Sequence, residues 1–248
     1  MRASETIRDA VARVAVLRQA ARGAQPLLEA TTAVKGFQAR RFSGTYGDLL
    51  NSAEYGQAAS FFLVELYSEK DYSLRDEQFA RIAGALQRLF PHQVVETAVA
   101  LAELHVLTEQ LDHDMAQQWM RLAEPYIQPA KRYLLAWKAV GRESERTHQL
   151  TLVLQIGVEL DHLTRTRGLR TTLKMMRRPA RATGLGALQE FLEAGFDTFA
   201  NMSGNGARAM EFLNTIRDRE ESLMAQLFAP DFDTGLQALT SHLLYAVN

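Results

Sequence analysis

"FFLVELYSEKDYSLRDEQFARI", residues 61–82, decides the fold class. Its first part continues a helix from about Glu54 to Leu66, with Tyr55, Ala58, Ala59, Phe62 and Leu66 on one face. Phe61, Leu63 and Val64 widen that face, so the spacing predicts a helix buried on most sides. Its last part opens a second helical stripe, Phe79, Ile82, Ala83, Leu86 and Leu89. Ser73 with Asp76 three residues on is close to a capping box and marks where the second helix starts. Between the two stripes lies a polar corner, so the stretch reads as an αα-hairpin.

That corner has two readings. Backbone groups leaving a helix need partners, which Asp71, Ser73 and Asp76 can supply. The rings of Tyr67 and Tyr72 can pack on the core while their hydroxyls face the polar side. The first reading is a structural corner. The second makes Tyr67, Asp71, Tyr72 and Arg75 the rim of a pocket under the 54–66 helix.

Working outward, the same period recurs. Ile7, Val11, Val14 and Leu17 form a stripe behind Ser4, and a weaker helix covers 27–40. "FSGTYGD", 42–48, reads as a loop. A long helix follows Pro91 to about Ala123. Further helices are expected near 126–140, 143–167, 169–178, 182–201, 207–228 and 234–246. No alternating run suggests a strand. The expectation is an all-α, bundle-like fold of about eight to ten helices. It is read as one domain over 1–248, with 1–40 a more loosely attached helical segment.

Composition narrows the chemistry. Of 248 residues, 47 % are hydrophobic and 23 % charged, enough apolar surface to fold. The net charge of −1 gives no bulk attraction to nucleic acid or to acidic partners, so any such preference is local. The chain has no cysteine, which removes disulfides, zinc–thiolate and iron–sulfur sites and thiol nucleophiles. Charges at Arg2, Glu5, Arg8, Asp9 and Arg13 interrupt the N-terminus, and no apolar run is long enough to span a bilayer. The expected location is cytoplasmic. There is no Gly-x-Ser-x-Gly, P-loop or dinucleotide fingerprint.

Three blocks carry a resemblance. "SGTYGDLL" with the 61–82 stretch, "LKMMRRPARATGLGALQEFLEAGFDTFANM" and "FLNTIRDREESLMAQL" are similar to a bacterial family of uncharacterised all-helical proteins. The resemblance runs from about residue 40 to 228. It implies a helical fold and supplies no catalytic residues.

Four constellations hold candidate chemistry. Arg165, Arg167, Arg170, Lys174, Arg177, Arg178 and Arg181 form a cationic run, with no acidic residue between Asp161 and Glu190. Leu169, Leu173, Met175 and Met176 are interleaved, a pattern suited to an anionic amphiphile or an acidic protein. "RATGLG", 181–186, adds possible N–H donors for an anion. The bland alternative is a solvated helix end facing acidic helices such as 211–221. No helix-turn-helix or aromatic RNA-binding motif accompanies the run, which argues against sequence-specific nucleic-acid reading.

The second constellation is His105, Glu109 and Asp112, one face of the long helix. The third is the pair of Glu-x-x-His steps at 145–148 and 159–162, which lie on one helix and cannot share a di-metal centre. Glu159 and His162 could still join His105, Glu109 and Asp112 around one metal if His105 and His162 both point inward. The alternative is satisfied core and polar-face residues. The fourth is Glu220, inside the stripe Leu213, Ile216, Leu223 and Leu227, which calls for a buried partner such as a cation of the basic run.

The functional expectation is a non-enzymatic binding protein for an anionic amphipathic small molecule or an acidic protein, with no cofactor and with a homodimer allowed. The alternative is a ferritin-like or haem-oxygenase-like enzyme using iron, manganese or haem.

Overall fold

The apolar periods become helices almost everywhere. The computed structural model describes residues 2–66, 72–122, 126–202 and 207–244. Among them it is all-α, with twelve helices. These are α1 (Ala3–Arg22), α2 (Gln25–Thr45), α3 (Gly47–Leu50), α4 (Gly56–Leu66), α5 (Ser73–Leu89) and α6 (His92–Arg121). Then come α7 (Pro129–Val140), α8 (Glu143–Thr164), α9 (Leu169–Ala182), α10 (Gly186–Met202), α11 (Ala207–Phe228) and α12 (Phe232–Leu244). The count exceeds the sequence expectation.

Local chemistry explains several boundaries. Pro129 occupies the first turn of α7, where its missing N–H costs nothing. Phe90, ahead of Pro91, is extended at φ −108° and ψ 154°, which separates α5 from α6.

Several boundaries and burials differ from expectation: α7 and α10 start about three to four residues late and α8 ends at Thr164, and four further differences follow. Residues 42–45 are the last turn of α2, and 47–50 form α3, where a loop was expected. The glycines and hydroxyls of this stretch do not break the helix. Ser43 and Thr45 bond back to the carbonyls of Ala39 and Arg41, and Phe42 and Tyr46 are fully buried. Burying two large aromatic side chains, at about 1.5–3 kcal/mol each, outweighs weak local propensity. Helix α9 runs through Pro179 to Ala182 instead of stopping near 178. The 54–66 helix is less buried than its composition suggests: Ala58, Ala59 and Phe62 are buried, but Phe61, Leu63 and Val64 are only half-buried. Finally, α5 begins at Ser73 behind Tyr72, with no side-chain cap bond from that N-cap residue. Asp76 is buried, with its carboxylate 2.8 Å from His105 Nε2. The turn of the expected hairpin, 67–71, lies outside the described residues.

The chain divides into two compact units, with boundaries inside α1, α6, α8 and α11. The first comprises Met1–Ala15, Lys70–Val106 and Thr151–Leu213. Its core includes Ile7, Ala10 and Val14 of α1 with Ala83, Leu86, Ala98, Ala102 and Val106. Helix α10 packs on both α9 and α5. Gly157 of α8 lets Leu213 of α11 approach so closely that an added Cβ would stand 2.5 Å from Leu213 Cδ2.

The second unit comprises Val16–Glu69, Leu107–Leu150 and Asn214–Asn248. Helix α2 packs on α3, α4, α7 and α12. Its core is rich in aromatics. Phe37 stacks on Tyr133 at 4.3 Å between centroids, and Trp137 meets Phe228 at 5.3 Å. Among the described residues no helix is long and apolar enough to cross a membrane.

Candidate functional site

Helix α9, "LRTTLKMMRRPARA", is amphipathic in an uneven way. Leu169, Leu173 and Ala180 share one flank, yet only Ala180 is buried. Arg170, Arg177 and Arg181, spaced i, i+7 and i+11, stand on the adjoining flank. Helix α10 returns along them with Asp197, Glu193 and Glu190. Arg170 Nη2 lies 2.8 Å from Asp197 Oδ1. Arg177 Nε donates to both Glu193 oxygens at 2.7 and 2.6 Å. Arg181 Nη2 is 3.4 Å from Glu190 Oε1. The partners retreat along α10 as the cations advance along α9, the order of an antiparallel pair. The Arg177 hydrogen bond holds the Glu193 carboxyl below its ordinary range against the opposing effect of burial.

The connection between these helices is held by α5. Gly184 takes φ +69°, a conformation natural to glycine. Arg81 Nη2 donates to the carbonyls of Thr183 and Gly184, each at 2.8 Å. Buried Gln78 accepts the Leu188 main-chain N–H at 2.8 Å. Within "RATGLG" itself, the N–H groups of Thr183, Gly184 and Leu185 donate to the carbonyls of Pro179, Arg181 and Ala180.

The cationic run is thus divided. Arg165 pairs with buried Asp161 one turn before it. Arg170, Arg177 and Arg181 pair with α10, and not with the 211–221 segment. Arg167, in the turn before α9, and Lys174 and Arg178 on α9 are exposed and make no ion pair among the described residues. Next to Lys174, Met175 is 74 % exposed, far more than an unbranched apolar side chain needs for packing.

The proposed metal group is dispersed. His105 Nε2 lies 2.8 Å from Asp76 Oδ2, within the first unit. Glu159 accepts from Gln93 Nε2 at 2.7 Å. His162 is exposed, which corrects the expectation that it points inward. In the second unit Glu109 meets Arg18 at 2.9 Å and Lys35 at 3.0 Å. Buried Asp112 accepts from Gln38 Nε2 at 3.0 Å. Burial pushes the Asp112 carboxyl above its ordinary range, and the Lys35 charge opposes this. Among the described residues no three His, Asp or Glu side chains form a metal-ligand group.

The proposed pocket rim is only partly described. Tyr67 and Asp71 lie outside the described residues. Arg75 packs its guanidinium over Tyr72 at 4.1 Å and over Phe191 at 4.6 Å, with Nε 3.6 Å from Asp76. A guanidinium over an aromatic face is attracted by the ring quadrupole as well as by packing.

Glu220 is buried and partnered as expected, but its cation is Arg41 of α2 and not one from the basic run. Sequence reasoning passed over this side of α2. Lys35, Gln38 and Arg41 recur every third residue, between core residues Val34, Phe37 and Phe42. They meet Glu109, Asp112 and Glu220 in turn. Polar residues at helical spacing among core residues were the available signal. The α10 carboxylates were missed for a similar reason: Glu190, Glu193 and Asp197 share a flank at i, i+3 and i+7, but their partners lie one helix away in sequence.

Residues 17–234 match a family described as a domain of unknown function, DUF8198, and the chain belongs to that family. No curated protein and no solved structure matches the chain.

Proposed function

We propose that this is a non-enzymatic helical binding protein, and that the outer flank of α9 takes an anionic amphipathic partner. One observation carries the reading. Arg167, Lys174 and Arg178 keep uncompensated charge at the surface beside an exposed Met175, while neighbouring cations of the same helix are neutralised by α10. Cations beside an exposed thioether suit a partner that combines carboxylate or phosphate groups with apolar surface. A small anion alone would leave Met175 uncovered.

Two probes distinguish the source of that chemistry: vesicles of phosphatidylcholine with phosphatidylserine, and an acidic amphipathic peptide. The wild-type protein is expected to bind at least one of them. Binding should weaken between low and physiological salt, since exposed charges are screened over about 8–10 Å. The double substitution Lys174→Glu/Arg178→Glu should abolish it. Binding of neither probe, or binding indifferent to both salt and charge reversal, would overturn the reading.

A further inference from the structure

We infer that the partner is an acidic α-helix lying beside α10 on α9, with carboxylates spaced i, i+3 and i+7. This rests on the binding role proposed above and adds the partner's class and register.

The argument comes from a repeat within the cationic run. Arg170, Arg177 and Arg181 are answered on α10 by Asp197, Glu193 and Glu190. Arg167, Lys174 and Arg178 have the same spacing, displaced by three residues. On a helix of 3.6 residues per turn that displacement is about 60° around the axis. Lys174 and Arg178 therefore present on the next flank what Arg177 and Arg181 present to Glu193 and Glu190. Arg167 stands in the turn before α9, separated from Leu169 by Gly168 at φ +82°, so it adds a cation near the N-terminal end of the helix without sharing its phase.

The filled ladder shows what the open one fits. Cations four apart on α9 are satisfied by carboxylates three apart on an antiparallel helix. A partner helix on the open flank needs the same arrangement, with its direction reversed to α9. Met175 is turned about 100° beyond Lys174, so an apolar side chain of that helix, next to its carboxylate edge, covers it. A disordered polyanion or a phospholipid surface supplies negative charge without this spacing.

The test uses three helical peptides of equal length, each with leucines along one face. The first carries Glu at i, i+3 and i+7 beside that face, the second carries the same residues with the glutamates permuted, and the third has Lys in place of Glu. Fluorescence anisotropy measures each against the full chain. The first is expected to bind wild type about five- to tenfold tighter than the second, the scale of two exposed ion pairs. Lys174→Glu/Arg178→Glu should lose the first peptide and gain the third, and this exchange also shows that the variant is folded. Equal binding of the first two peptides, or failure of the third to bind the reversed protein, overturns the helix-register inference while leaving the binding role intact. Binding to phosphatidylserine vesicles with no peptide bound has the same consequence. No binding to any peptide or vesicle overturns both.

Discussion

Tyr46 donates its hydroxyl to Glu220 Oε1 at 2.8 Å, on the same oxygen that Arg41 grips. Tyr46 follows the last turn of α2 and Glu220 lies within α11, so the contact joins residues 174 positions apart. All three are buried. The arrangement sets an order of severity. Arg41→Met leaves a buried carboxylate without its cation and is expected to cost about 3–5 kcal/mol. Tyr46→Phe removes one hydrogen bond to a charged group and should cost about 1.5–3 kcal/mol. Arg41→Met/Glu220→Met together should cost less than Arg41→Met alone, because no charge is left uncompensated. Urea denaturation of the four proteins measures this; a double variant worse than the single would contradict it.

Asp112 gives a pH dependence with a defined sign. Burial raises its carboxyl above the ordinary 3.8, so the folded chain keeps this proton to higher pH than the unfolded chain does. As pH rises past 3.8, ionisation favours the unfolded state, and stability falls until the folded group also titrates. Asp112→Asn keeps an oxygen to accept from Gln38 and cannot ionise. Its stability relative to wild type should therefore improve from pH 3.5 to pH 7. A constant difference in urea midpoint between the two proteins across that range would show that burial of this group is not limiting.

Gly157→Ala should destabilise the first unit. The new methyl would meet Leu213 Cδ2 at 2.5 Å, Cδ1 at 3.1 Å and Cγ at 3.3 Å, so this fully buried side chain must shift within the core. Overpacking of this kind costs about 1–3 kcal/mol. Leu213→Val should relieve part of that cost, so the double variant should fall short of the sum of the singles in a thermal or urea melt.

Gln78→Ala should loosen the start of α10. The substitution removes the acceptor of the Leu188 N–H from a buried position. A buried donor left without a partner costs about 1–3 kcal/mol. Amide hydrogen exchange at Leu188 should accelerate more than exchange in the middle of α10. Unchanged protection there would mean that the helix end finds another acceptor.

The all-α class was legible because helical period is a local property. Ile7, Val14, Phe62, Leu86, Leu213 and Leu223 fall on their stripes in sequence and are buried in the structure. The demand that Glu220 be partnered was equally local, since a carboxylate among core residues must be satisfied. Which residue answers it was not, because Arg41 is brought there by chain topology. The cationic run shows the same division. Its seven charges are plain in the sequence, but a linear count treats them alike. Only the antiparallel return of α10 separates Arg170, Arg177 and Arg181, neutralised by carboxylates beyond the 183–185 turn, from Arg167, Lys174 and Arg178, which keep their charge. The carboxylates of the proposed metal group were divided in the same way. Glu109 and Asp112 share a helix face with His105, yet their bonds go to Lys35 and Gln38, and His105 goes to Asp76. Spacing along one helix determines which side chains share a face; the helix that packs on that face determines the electrostatics, and packing between distant segments is settled only in the folded chain.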